Sequence, residues 1–159
     1  MSKASYNKRI ILPKVRLSFP AIITPKQYEG KGDPYYSAVL SVPKGSPTDI
    51  EITKSIKEGI AHVFAGALFA ETGYADFMGD KRTTFYRDGD SAKLSARSDG
   101  TMPEEFKGFM TAHPRVAADK PPLLLNGARK EVIRFLPDGS VNPETSIFYA
   151  GCYVHVSLD

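Results

Sequence analysis

The chain has 159 residues, which is long enough for one domain with a core that needs no disulfide or metal support. Hydrophobic residues make up 42% of it and charged residues 25%, values typical of soluble globular proteins. A single cysteine, Cys152, excludes an internal disulfide and favours a reducing compartment. The sequence has no apolar run long enough to span a membrane and no secretory signal, so we expect a soluble cytoplasmic protein.

Positive charge is concentrated in two segments, although the formal net charge is only +3. Residues 1–16 contain five lysines or arginines and no acidic residue. Residues 81–97 contain another five against two aspartates, Asp88 and Asp90. Such segregation suits contact with a phosphate backbone, and a solvated basic rim is the alternative.

Two strands are predicted in the first third of the chain. Residues 14–19 alternate between polar and apolar, so the odd-numbered side chains, Phe19 included, are expected to face the core before Pro20 ends the strand. Residues 35–42 predict a second strand, ended by Pro43, whose even-numbered side chains lie on one face and whose odd-numbered side chains lie on the other.

An amphipathic helix is predicted after the second strand. Thr48 and Glu51 have the spacing of a capping box, and Gly73 is the predicted stop. Between them, apolar residues recur at helical intervals and are expected to pack into the core. These residues are Ile52, Ile56, Ile60, Val63, Phe64, Ala67 and Leu68.

Shorter segments continue to the C-terminus. Residues 106–113 and 149–158 read as strands, and residues 121–133 as an apolar run with an Asn126-Gly127 turn. Five or six strands and one prominent helix predict a β-rich (α+β) fold, an OB-fold-like barrel of five to six strands. We expect one such domain over residues 1–159, with a basic and flexible N-terminal segment of about 13 residues.

The usual enzyme motifs are missing. The sequence has no phosphate-binding glycine loop, no nucleophile elbow and no histidines at metal-ligand spacing, so no cofactor is expected. Asp88 and Asp90 could hold a divalent metal in a small nuclease, whereas an ordinary Asp-Gly-Asp turn is the simpler interpretation. Incubating a labelled oligonucleotide with magnesium separates these two alternatives.

Basic and aromatic residues alternate along much of the chain. This mixture is typical of proteins that bind single-stranded nucleic acid, because cations hold phosphates and exposed rings stack on unpaired bases. Each ring could instead pack in the core. The protein as a whole could instead be a protein-interaction module on an OB scaffold. The predicted DNA-binding cations are Lys14, Arg16, Lys81, Arg82, Arg87, Lys93 and Arg115, and the predicted stacking rings are Tyr35, Tyr36, Tyr86 and Phe109.

Four motifs in order resemble a family of phage single-stranded DNA-binding proteins of the Enterobacter-phage type, formerly a domain of unknown function. The resemblance implies an OB-fold related to the single-stranded DNA-binding proteins of podophages, sequence-independent binding in DNA replication and recombination, and no enzymatic activity. The motifs are Val15-Arg16-Leu17-Ser18-Phe19-Pro20, Tyr36-Ser37-Ala38 leading to Val42-Pro43-Lys44, Arg87-Asp88-Gly89-Asp90, and Tyr149-Ala150-Gly151-Cys152-Tyr153-Val154.

The same resemblance implies a setting and partners. The expected ligand is single-stranded DNA in the host cytoplasm, and the expected protein partners are phage replication proteins such as the DNA polymerase. The resemblance does not decide whether the protein also binds duplex DNA or whether it forms a homodimer. Members of this kind continue beyond the last motif, whereas this chain stops at Asp159, so we expect a truncated or short variant without a C-terminal tail.

Overall fold

The computed structural model describes residues 9–64 and 67–158. Six strands form one sheet in the order β3-β4-β2-β1-β6, and β5 also pairs with β2. The β-rich prediction is therefore confirmed. The elements are β1 (Ile10–Tyr28), β2 (Lys31–Pro43), α1 (Pro47–Phe64), α2 (Ala67–Gly79), β3 (Tyr86–Asp88), α3 (Ala92–Ser95), β4 (Phe109–Ala112), β5 (Arg115–Ala117) and β6 (Tyr153–Leu158), with 3₁₀ helices at Glu104–Phe106 and Pro143–Ile147.

The expected closure into a barrel is wrong. A barrel needs hydrogen bonds between its first and last strands, and no ladder within the described ranges joins β3 to β6. All three residues of β3 pair with β4, in the register Tyr86↔Ala112 to Asp88↔Met110. A strand this short leaves little backbone for a second partner, and short edge strands are a common way to terminate a sheet.

Strands β1 and β2 are much longer than predicted. β1 begins at Ile10, inside the segment expected to be flexible, and it continues through Pro20 to Tyr28. Residues 1–8 of that segment lie outside the described residues. Glu29 and Gly30 then connect the two strands, and both have positive φ angles, +48° and +69°. This is the backbone of a type I′ turn, whose twist matches that of the strands it joins.

The alternation predicted for β1 fails at Phe19. Val15 and Leu17 are buried as expected, but Ser18 is buried next to them and Phe19 is 50% exposed. Phe19 has a φ of +46°, a left-handed conformation that is rare for a bulky side chain. This local change of backbone direction puts Ser18 and Phe19 on the faces opposite to those expected, as happens at a β-bulge.

The even-numbered residues of β2 share one face, as the alternation predicts, and the structure shows that this face is buried from Tyr36 to Val42. Because side chains of a strand alternate between its two faces, Tyr35 points away from Tyr36. β5 lies beside this part of β2 in the register Tyr35↔Ala117 and Ser37↔Arg115. The strand thereby presents one tyrosine to each side of the sheet.

The helix lies where it was predicted, but its capping residue and its end differ from the prediction. Ser46, not Thr48, caps α1: its Oγ accepts from the Asp49 N–H at 3.2 Å, and Pro47 occupies the first helical position. Gly73 does not end the helical region, because α2 runs on to Gly79 and packs against α1. Residues 65–66 lie outside the described residues. Within the described ranges, no helix combines the length and apolarity needed to cross a membrane.

The chain forms two compact units. Of the described residues, unit 1 contains 9–15, 41–64, 67–112 and 154–158, and unit 2 contains 16–40 and 113–153. The core of unit 1 includes Leu12, Val42, Ile52, Ile56, Ile60, Tyr86 and Phe106, and that of unit 2 includes Leu17, Tyr36, Leu40, Leu124 and Val132.

Gly89 lies where no side chain fits. A Cβ at this position would come within 2.5 Å of the carbonyl oxygens of Phe106 and Phe109. We expect Gly89→Ala to lower the free energy of unfolding by about 1–3 kcal/mol, because backbone atoms must move to admit the methyl group. Gly127→Ala is the matched control, since its Cβ would meet nothing within 4 Å. Equal stability of the two variants in urea unfolding would contradict this packing.

Candidate nucleic-acid interface

Two cations surround the ring of Tyr35 in unit 2. The Arg115 guanidinium carbon lies 4.1 Å from the ring centroid, and the Lys26 ammonium nitrogen lies 5.6 Å from it. Three strands contribute, because Lys26 belongs to β1, Tyr35 to β2 and Arg115 to β5. We call these three residues the Tyr35 cluster.

The sheet register explains why the cluster forms. Ser37 follows Tyr35 by two residues and shares its face, and Arg115 lies opposite Ser37. Arg115 is therefore a diagonal neighbour of Tyr35 on the same face, a separation that long and aromatic side chains can bridge. Lys26 and Arg115 are exposed and Tyr35 is half-buried, so a ligand can reach all three side chains.

Tyr36 has a different role from the stacking predicted for it. Its side chain is buried, and the Arg134 guanidinium lies 5.2 Å from its ring. Arg134 Nε donates to the Ile22 carbonyl at 2.8 Å, and a second guanidinium nitrogen donates to the Pro122 carbonyl. Tyr36 and Arg134 thus connect β1 and β2 to the segment after β5, and the ring is not available to a base.

Arg16 lies against Gly151 in the same unit. A Cβ on Gly151, whose φ is +101°, would lie 3.7 Å from the Arg16 guanidinium. The strands meet at this point: the Leu17 N–H donates to the Cys152 carbonyl at 2.8 Å, and the Gly151 N–H donates to the Leu17 carbonyl at 2.7 Å. The exposed tyrosines Tyr149 and Tyr153 flank this pairing in sequence.

The stacking role predicted for Tyr86 does not fit the structure. Its side chain is fully buried in unit 1, and its hydroxyl donates to Asp49 Oδ1 at 2.5 Å. Burial, reinforced by the Asp49 carboxylate, raises the pKa of the Tyr86 hydroxyl far above its ordinary value of 10.0. The tyrosine therefore stays protonated and links β3 to the start of α1.

Most of the other predicted residues also lie in unit 1, several with partners inside it. Arg82 is paired with Asp80 at 3.1 Å and lowers the pKa of that carboxyl group. Lys81 Nζ donates to the Ala96 carbonyl at 3.4 Å, and Arg87 donates to the Lys81 carbonyl at 2.9 Å. Lys14 and Lys93 are exposed, and Phe109 is half-buried.

Asp88 and Asp90 hold a lysine. The Lys44 ammonium lies 2.6 Å from Asp88 and 2.5 Å from Asp90, and Asp90 also accepts from the Gly108 N–H at 3.1 Å. We call Lys44, Asp88 and Asp90 the clasp. It fixes the turn after β3 to the end of β2, and a metal ion held by both carboxylates would have to displace the ammonium group. Within the described ranges, no three potential metal ligands come together.

Sequence reasoning missed several residues of unit 2. Lys26 and Arg134 are distant in sequence from the residues they contact, so only the folded structure connects them to Tyr35 and Tyr36. The alternation of residues 153–158 could have identified Tyr153, because its neighbours Val154 and Val156 face inward. The exposed rings that were missed are Phe19, Tyr28, Phe135, Tyr149 and Tyr153.

Comparison with known proteins decides the family. Residues 8–159 match the family described as "Enterobacter phage Enc34, ssDNA-binding protein". The chain belongs to this family. It is also 30% identical over 157 residues to "Putative protein p50" of Acyrthosiphon pisum secondary endosymbiont phage 1, covering 95% of this chain and 71% of that protein.

Solved structures show the same fold. The chain is similar to the single-stranded DNA-binding protein from bacteriophage Enc34 in complex with ssDNA, with a TM-score of 0.66 and 24% identity over 94% of this chain and 72% of that one. It is similar to a C-terminal truncation of the Enc34 protein with a TM-score of 0.63 and 24% identity, over 94% and 71% of the two chains. The OB-fold-like prediction and the family resemblance are thereby confirmed.

The family motifs have architectural roles in this chain. Val42-Pro43-Lys44 and Arg87-Asp88-Gly89-Asp90 are joined by the clasp. The first and last motifs are joined by the backbone pairing of Leu17 with Gly151 and Cys152. The order of motifs in sequence thus corresponds to two pairs of contacts, one within each unit.

We expect the clasp to make stability depend on pH. The Asp88 and Asp90 carboxylates raise the pKa of Lys44 above 10.5, and Lys44, with the Gly108 N–H, lowers the pKa of Asp90 below 3.8. The clasp contributes its full stabilisation between pH 3.8 and pH 10.5, the ordinary pKa values of the aspartate and the lysine. It is lost as the pH falls through the lowered Asp90 pKa or rises through the raised Lys44 pKa.

Lys44→Met therefore lowers the free energy of unfolding by a constant amount between pH 3.8 and 10.5, and the difference from wild type shrinks outside that range. Urea unfolding across pH measures this difference, with Lys31→Met in the β1–β2 hairpin as the control. A difference that persists unchanged well below pH 3.8 would contradict the ion pair as the source of stability.

Proposed function

We propose that this protein binds single-stranded DNA without reading base edges, with the Tyr35 cluster of unit 2 as a principal contact. The observation that carries the proposal is an accessible tyrosine with two cations within 6 Å of its ring. The Arg115 guanidinium lies over this ring, so a base can stack on the guanidinium plane or on the ring surface that the two cations leave open, and the cations can hold the adjoining phosphate. Membership of the Enc34 family and the fold shared with a protein solved in complex with ssDNA support it.

The geometry favours a single strand as the ligand. Stacking on a side chain requires an exposed base face, which a duplex keeps occupied by neighbouring bases. Arg115 extends the platform, because a guanidinium plane can itself stack on a base while contacting phosphate. Further exposed rings of unit 2, Tyr28, Tyr149 and Tyr153, are candidates for additional bases. Duplex DNA is a weaker ligand under this proposal.

The role we propose is that of a binder and not a catalyst. Asp88 and Asp90, the carboxylates of the alternative nuclease, each have the Lys44 ammonium within 2.6 Å, which offsets one of the two negative charges that would attract a metal ion. Coating a strand protects it from nucleases and removes hairpins ahead of a polymerase. The proposed setting is phage DNA replication and recombination in the host cytoplasm, with the replication polymerase as a partner.

The first test removes the ring. Tyr35→Leu is expected to weaken binding of an oligo-dT by about tenfold or more, because each base–aromatic stack contributes ~1–3 kcal/mol. Fluorescence anisotropy measures the dissociation constant. Tyr74→Leu is the matched control in unit 1, where a half-buried tyrosine also has a lysine, Lys57, 5.0 Å from its ring. Equal affinities of both variants and wild type would refute the Tyr35 site.

The second test removes one cation. Arg115→Met is expected to weaken binding and to reduce the slope of log affinity against log salt by about 0.7, the value for one phosphate on a single strand. Arg82→Met changes the net charge equally but removes a cation already neutralised by Asp80. If both variants lose the same slope, general charge and not the Tyr35 cluster determines binding.

A further inference from the structure

The segment after β5 presents a surface that the proposed function does not use. Residues 123–142, which we call the arm, begin with a hairpin closed by the bridge Leu125↔Glu131. The Val132 N–H donates to the Leu124 carbonyl at 2.9 Å and confirms the antiparallel register. Counting along this register places position 123 opposite position 133.

A second hairpin follows directly. Its bridge is Phe135↔Val141, and the Asn142 N–H donates to the Arg134 carbonyl at 2.8 Å. Residues 131–136 belong to both hairpins, so the arm consists of three adjoining extended segments. The two turns of the arm lie at residues 126–130 and 136–140.

The side chains of the arm alternate between two faces. Leu124, Val132 and Asn142 are buried and point into unit 2. The opposite face is also apolar, although it is open to solvent, with each side chain 44–66% exposed. We call it the outer apolar face; it consists of Leu123, Leu125, Ile133, Phe135 and Val141.

A contiguous apolar surface of this kind marks an interaction site in most soluble proteins. Four of its five side chains are aliphatic and offer no ring for a base to stack on. Glu131 lies on the same face by register and would repel phosphate there, while the charges of the two turns are of both signs. These features favour a protein surface as the occupant over a nucleic acid.

The charges of the two turns indicate which protein surface would occupy the outer apolar face. The first turn carries Arg129 and Lys130, and the second carries Asp138, all three exposed. The two turns lie at opposite ends of the segment 131–136, so a twofold axis that lies in the plane of the outer apolar face and runs across its strands brings the basic turn of each copy towards the acidic turn of the other. We propose that the outer apolar face is the contact between two copies of this chain, paired arm to arm.

The contact is small. Five partly exposed side chains on each copy place it at the lower end of specific interfaces, which bury roughly 1,200 Å² in total. Association of free protein is then weak, with a dissociation constant of roughly 1–100 µM. Copies held side by side on one DNA strand experience a high effective concentration, which strengthens the same contact.

Sedimentation equilibrium without DNA tests the contact directly. Wild type is expected to dimerise with rising concentration, and Ile133→Glu is expected to raise the dissociation constant at least about tenfold, because it buries two carboxylates in an apolar contact. Ile50→Glu is the matched control, since Ile50 is 62% exposed on α1. A wild type that stays monomeric, or a dimer that Ile133→Glu leaves intact, overturns the proposal.

Carbodiimide cross-linking tests the arrangement of the two copies. In a mixture of isotopically light and heavy protein, mixed cross-links between Lys130 and Asp138 are expected, and Ile133→Glu should abolish them. A dimer that forms without these mixed cross-links overturns the arm-to-arm pairing. These measurements need no DNA, so their failure is distinct from failure of the proposed function.

The DNA readout rests on the proposed function. Ile133→Glu should bind an oligonucleotide long enough for one copy with unchanged affinity, and should lose the cooperativity that wild type shows on a strand long enough for several. Loss of affinity for the short oligonucleotide would instead place the outer apolar face in the DNA site and overturn the pairing proposal.

Discussion

The alternation of side chains along β2 is the constraint on which unit 2 depends. Tyr35 and Tyr36 are adjacent, so they must point to opposite faces of the sheet. Tyr36 points into the core, where Arg134 lies beside its ring, ties the arm to β1 through the Ile22 carbonyl and also donates to the Pro122 carbonyl. Tyr35 consequently faces outward between Lys26 and Arg115. A slip of one residue in register would exchange the two tyrosines and remove both the anchor and the platform.

Unit 1 uses similar residue types for a different purpose. Its tyrosine at position 86 is buried against Asp49, and its acidic turn is held by Lys44. Gly89 permits this turn because the carbonyl groups of Phe106 and Phe109 leave no space for a side chain. Aromatic, basic and acidic residues here stabilise connections between elements, and the large exposed rings among the residues whose burial is described belong to unit 2.

Unit 2 consequently carries two surfaces of contrasting chemistry. The Tyr35 cluster combines a ring with positive charge, whereas the outer apolar face combines aliphatic side chains with charges of both signs at its ends. The first suits a polyanion with exposed bases, and the second suits a protein surface like itself. Such a division would let neighbouring copies touch one another without competing for the DNA.

Much of the fold could be predicted from local patterns. The buried face of β2, the position of α1 and the final strand follow from periodicity, since a side chain's face depends only on its spacing from its neighbours. The exposure of Phe19 could not be predicted, because a left-handed residue interrupts the alternation of β1. Nor could barrel closure be judged, because it depends on pairing between strands that are distant in sequence.

The candidate site, too, could be predicted from the sequence only in part. The sequence by itself determined the residue types, the charge-rich segments and the ordered motifs that identify the family, because these are properties of the chain alone. Only the tertiary structure decided that Tyr35 is accessible while Tyr36 and Tyr86 are buried, and that Asp88 and Asp90 face a lysine. The physical reason is that burial and pairing depend on the strand or helix that packs alongside, and Lys26, Arg134 and Lys44 reach their partners from elements remote in sequence.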